Sequence, residues 1–134
     1  ASNIASGFTT ELVQLVLDNR TEEAKILFRK LEPLFRLTTV TTREKTPYGE
    51  ISCRARNPLG VKTAMCLLGM PSGGCRQPLG KMTKRGVGFV VETLKQVQSD
   101  SPEVLRPVAD FFGVDIDKRL ADTDLIQSLG YEDI

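Results

Sequence analysis

Apolar side chains recur along this chain mostly at helical spacing. Phe8, Leu12, Leu15 and Val16 fall at i, i+4, i+7 and i+8, and Asn19 follows as a stop. The next stripe is clearer: Ala24, Leu27, Phe28, Leu31, Leu34 and Phe35 share one face, with Thr21 placed to cap its start. Pro33 lies inside that stripe and is expected to kink or shorten the helix. Residues 37–56 break the period. Their Thr/Val content and the Pro47-Tyr48-Gly49 turn signal predict an irregular or briefly extended excursion.

Helical order then returns. Asn57 reads as a cap and Pro58 as the first helical position, and Val61, Ala64, Met65 and Leu68 line one face up to Gly69. A loop of Pro71, Ser72, Gly73 and Gly74 follows. Val87, Val90, Val91, Leu94 and Val97 mark a further helix. Ser101-Pro102 opens another, which carries Leu105, Val108, Ala109 and Phe112 and closes at Gly113; a last short helix spans Asp122 to Leu129. The fold class read from this pattern is all-α. It divides into a helical hairpin at 7–36, an irregular insertion at 37–56, helices with a glycine-rich corner at 57–99 and a helical extension at 100–134.

Composition narrows the chemistry. The 134 residues suffice for one domain with a real core. No apolar run approaches the roughly 18 residues of a membrane span. Three cysteines, Cys53, Cys66 and Cys75, form no CxxC pair, and the sequence has no histidine. That argues against a disulfide framework, a zinc site and any His-activated nucleophile, and it favours a reducing cytoplasm.

The net charge of +1 is unevenly spread. Ile51 to Val91 hold seven basic residues (Arg54, Arg56, Lys62, Arg76, Lys81, Lys84, Arg85) and no acid, while Glu92 to the end hold ten acids and four bases. A basic middle could hold a polyanion. No aromatic residues interleave with the basic ones, which favours basic and acidic segments facing each other over a nucleic-acid surface.

Individual candidates weigh mostly toward structure. Between Gly74 and Gly80 there are five residues, Met82 stands where a P-loop needs a hydroxyl, and Pro78 removes a donor, so the loop fails as a phosphate cradle. Cys66 reads as a small buried hydrophobe; Cys75 beside Arg76 has neither base nor resolving partner. Lys62 could serve as a desolvated amine, although a lysine snorkelling from a helix flank is commoner. Asp115, Asp117, Asp122 and Asp124 resemble a sparse cation site, with helix capping by Asp115 and Asp122 the better reading. No metal and no cofactor is called for.

The ordered set of motifs does resemble a known family. "ASNI" ahead of a helix, the break at "DNRTEEA", the stretch "LFRKLEPLFRL" and then "NPLGVKTAMCLLGMPSGGCRQPL" resemble the C-terminal part of the dihydrodipicolinate synthase / N-acetylneuraminate lyase family. The matching positions are Asn57, Pro58, Lys62, Leu68, Gly69, Arg76, Pro78 and Leu79, in an order that agrees from residue 1 to about residue 98 apart from the longer 38–56.

The resemblance implies the C-terminal helical region of a (β/α)8 barrel: residues 1–4 end the eighth strand, and the last barrel helix and extra helices follow. Ser2 and Asn3 would lie near the mouth of the parent site. The family's Schiff-base lysine belongs to an earlier strand, so no catalytic residue is expected in this chain, and Lys62 does not take that role. The implied parent chemistry is aldol-type, on pyruvate or a 2-oxo acid yielding it. The implied partners are the rest of the barrel and further copies in a homo-oligomer. Two other readings stay open: a free-standing helical interaction module, and an anion- or nucleic-acid-binding helical domain using Arg54 to Arg85.

Overall fold

The computed structural model describes residues 2–132. Two antiparallel helices, α1 (Ser6–Leu17) and α2 (Thr21–Arg36), lead into a β-hairpin of β1 (Thr39–Thr46) and β2 (Gly49–Arg56). Helix α3 (Leu59–Leu67) and a long loop follow, then α4 (Lys84–Asp100), a 3-10 turn (Pro102–Val104) and three short helices: α5 (Arg106–Phe112), α6 (Ile116–Ala121) and α7 (Thr123–Ser128).

Helix α4 is the hub, packing against α2, α3, β1, the 3-10 turn, α6 and α7. Its Val87, Val90, Val91, Leu94 and Val97 are buried together with Leu31 and Leu34 of α2 and Ala64 and Leu67 of α3. Leu34, Ala64, Leu67, Val90 and Leu94 are fully enclosed. At about 25 cal/mol per Å2 of apolar surface removed from water, each such leucine stabilises the fold by roughly 2 kcal/mol. Gly60 lets α3 cross the end of α2 at van der Waals distance, since a Cβ there would collide with the Leu37 carbonyl oxygen.

The expectation of an all-helical chain fails at residues 37–56. They form a regular two-stranded antiparallel sheet, paired from Thr39–Arg56 to Thr46–Gly49 across the Pro47-Tyr48 turn. Its inner face is largely polar. Val40 is buried, and so is Glu44, whose carboxylate accepts a hydrogen bond from Thr42 Oγ1 at 2.7 Å and lies 3.6 Å from Arg85 Nε. Thr42 Oγ1 also meets Thr83 Oγ1 at 3.3 Å, and Thr83 accepts the Gly86 N–H to cap α4. The hairpin is thus docked on the start of α4 by hydroxyl and carboxylate contacts, which no apolar period announces.

Smaller corrections follow the same logic. Thr21 does not cap α2; Arg20 holds the cap position without a side-chain bond, and Thr21 is the first helical residue. Pro33 neither ends nor shortens α2, which runs on to Arg36, because the Leu31 and Leu34 anchors on either side are buried in the core. Asn57 does not cap α3; Pro58 takes the cap position and the helix opens at Leu59. Asp115 and Asp122 do cap, accepting the Lys118 and Leu125 N–H groups, and Gly113 closes α5 in the left-handed conformation.

Candidate functional site

The residues singled out from the sequence do not converge on one centre. Ser2 and Asn3 are exposed in a turn ahead of α1, while the adjoining Ile4 is buried. Asn57 and Pro58 are exposed at the head of α3, joined by a cis peptide bond. Lys62 is half-buried on α3, and its ammonium donates to the Gly74 carbonyl at 2.9 Å. That bond holds the glycine-rich loop against the helix. Ser72 reinforces it by donating to the Lys62 carbonyl at 3.1 Å. Arg76 is exposed, with no side-chain hydrogen bond or ion pair among the described residues.

Cys66 is half-buried and not enclosed as expected: its Sγ lies 2.8 Å from Ser72 Oγ, in a polar corner. Gly69 adopts φ +77, and a Cβ there would sit 2.8 Å from Val114 Cγ1 and 3.3 Å from Arg119 Nε. The Leu-Gly turn after α3 is therefore a packing corner against the C-terminal extension. Arg119, absent from the sequence-derived candidates, donates from Nε to the Leu67 carbonyl at 2.7 Å and from Nη2 to the Cys66 carbonyl at 2.8 Å. The Leu67 carbonyl is one that the end of a helix leaves unpaired, while the Cys66 carbonyl also accepts the Gly69 N–H at 3.1 Å.

Pro78 and Leu79 line a recess beside the hairpin. A trough of about 370 Å3 runs between β2 and residues 78–83, and Tyr131 also lines it. Its floor is apolar at Val40, Ala55, Leu59 and Met82. Arg54, Arg56 and Lys81 lie along it, and no Asp or Glu lines it. A second, wider groove of about 500 Å3 lies on the outer face of α1 and α2, floored by Leu12, Val16, Ala24 and Phe28. Val16 is 60% exposed there, so the apolar stripe of α1 is only partly used by the core.

The shifted carboxyls are surface groups: Glu23 is held below its usual range by the Arg20 guanidinium, Glu103 by the Lys30 ammonium, and Asp115 by the Lys118 backbone N–H at the start of α6. No cluster of three or more His, Cys, Asp or Glu suited to a metal ion occurs among the described residues. No helix among them is long and apolar enough to cross a membrane.

Comparison with known proteins finds partial similarity to one group of enzymes. The chain is 34% identical to 4-hydroxy-tetrahydrodipicolinate synthase of Methanococcus vannielii over 83 residues, covering 62% of this chain and 24% of that enzyme. The resemblance to the dihydrodipicolinate synthase family holds. The Acetivibrio thermocellus synthase is 35% identical over 94 residues (70% of this chain, 27% of the enzyme), and the Archaeoglobus fulgidus synthase 26% over 98 residues (73% and 29%). The chain thus spans about a quarter of the length of the synthases it matches. No protein-family model and no solved structure matches it.

Proposed function

We propose that this chain is the C-terminal helical portion of a dihydrodipicolinate synthase-like Schiff-base lyase, structural in role and without catalytic activity alone. The observation that carries the reading is the partial match: up to 73% of this chain aligns, yet it covers only a quarter or so of each synthase. A lyase of this class holds pyruvate as an imine on a lysine amine and carries it as an enamine. That lysine would lie in the barrel that this chain completes, in a cytoplasmic homo-oligomer.

Two features of the fold support the assignment. The lysine that the motif set does contain, Lys62, is committed to the Gly74 carbonyl and so is used as a clamp. The outer groove of α1 and α2 offers an apolar surface of the kind that packs against another layer of structure. The rest of the barrel is the occupant the reading assigns to it.

The test is chemical trapping. The 134-residue chain, incubated with pyruvate and borohydride, is expected to show no covalent adduct in its intact mass. A reduced pyruvyl-lysine adduct on this chain would overturn the reading.

A further inference from the structure

We propose that the open edge of β2 receives an extended acidic peptide of a partner protein as a third strand of the sheet. β2 has a single neighbour, β1. Among the described residues, no hydrogen bond outside the β1 ladder engages the backbone from Ile51 to Arg56. An antiparallel strand directs alternate peptide groups away from its neighbour, so this edge presents unpaired donors and acceptors. The 370 Å3 trough runs beside that edge, and four consecutive residues, Cys53 to Arg56, line it. β1 lends the trough only the alternate residues Val40 and Thr42 of its inner face, while β2 lends consecutive ones, so the trough passes beneath the sheet and around the open edge of β2.

The register dictates the chemistry of the guest. Directly opposite residues share a face, so Ala55 and Cys53 face inward with Val40 and Thr42, while Arg54 and Arg56 face outward with Thr41 and Thr39. An added strand alternates in the same way. Its inward side chains meet the apolar floor, and its outward ones lie beside Arg54 and Arg56. Lys81 adds a third positive charge at the trough, although its ammonium already donates to the Ser128 carbonyl. With no carboxylate in the lining, the matching segment alternates acidic and small apolar residues. This mode draws affinity from main-chain bonds and specificity from alternate side chains. It does not depend on the lyase reading.

The probe is a fluorescein-labelled hexapeptide alternating glutamate and valine, followed by anisotropy against the protein. Saturable binding is expected, with none for the lysine–valine counterpart. The double variant Arg54→Glu/Arg56→Glu is expected to weaken binding roughly tenfold or more. If that variant loses its folded circular dichroism, the Arg54→Gln/Arg56→Gln pair takes its place. A peptide of the same charge, N-methylated at all of its residues, is expected to bind at least roughly tenfold more weakly, because no main-chain donor is left to face the edge in either strand direction. Amide exchange should slow at Ile51 to Arg56 when the unmodified peptide binds. Absence of binding, equal binding of the N-methylated peptide, or protection elsewhere would each overturn the proposal. Protection of this edge without peptide, rising with protein concentration, would assign it to a second copy and overturn it too.

Discussion

Arg119 closes the end of α3: its Nε donates to the Leu67 carbonyl at 2.7 Å, across 52 positions of sequence. With the second bond to Cys66 it joins the C-terminal extension to the part of the chain that carries the family motifs. Charge-assisted bonds of this kind contribute roughly 1.5–3 kcal/mol when half-buried. Arg119→Ala is expected to lower the unfolding free energy by about 2 kcal/mol. Arg119→Lys should recover less than half of that, since one ammonium cannot reproduce the forked geometry. Urea midpoints of the three proteins check it; an unchanged midpoint for the alanine variant would show the contact to be incidental.

Gly69 is fixed by that same corner. Its φ of +77 is unfavourable for any side chain, and a Cβ would press on Val114 at 2.8 Å. Gly69→Ala is expected to cost about 1–3 kcal/mol from backbone strain and the displaced valine. Gly73 has a similar φ of +61 but open space around it, so Gly73→Ala should cost only the backbone part. Thermal unfolding of the two variants side by side separates clash from conformation.

Acid should loosen the docking of α2 on the 3-10 turn. Lys30 Nζ donates to Glu103 at 2.9 Å and holds that carboxyl below its usual range, with the Glu103 backbone N–H helping. The folded pKa is lowered, so the pair's stabilisation is present at pH above the ordinary carboxylate range. It is lost as pH falls through the lowered folded value. Both partners are about 40% exposed, so the effect is small. Glu103→Gln is expected to be less stable than the wild type at pH 7 and to converge on it in acid. Urea midpoints across that range check the sign; a gap that widens in acid would contradict it.

The α1–α2 groove should make the isolated chain associate with itself. Val16 and Phe28 are 60% and 45% exposed and line the same groove. The paired variant Val16→Lys/Phe28→Lys is expected to shift the chain toward monomer in light scattering while leaving its thermal unfolding almost unchanged. A chain already monomeric at high concentration would argue against this groove as a packing surface.

How much of this the residues disclosed depended on where the core lies. The helices were legible because Leu31, Leu34, Leu67, Val90 and Leu94 repeat at the helical period and are all buried. The hairpin was legible only in its turn at Pro47-Tyr48-Gly49 and in a hint of extended chain; its regular pairing was not, because its inner face carries Thr42 and Glu44 next to Val40, a pattern that alternates in burial but hardly in polarity. Pro33 read as a breaker, yet tertiary packing of α2 outweighed one missing N–H. The motif residues were visible as a family resemblance, while the roles of Lys62 and Gly69 as clamp and corner needed partners, Gly74 and Arg119, that only the fold supplies. The β2 edge gave no sequence signal, since an open edge is defined by what fails to pair with it.

The central claim is that these 134 residues complete a longer Schiff-base lyase, and the most direct test is the denatured intact mass of the product made from its native gene. A mass well above 14.8 kDa, with borohydride-trapped pyruvate on a lysine outside this sequence, is the expected result. A product of 14.8 kDa would contradict it and leave a helical module standing on its own.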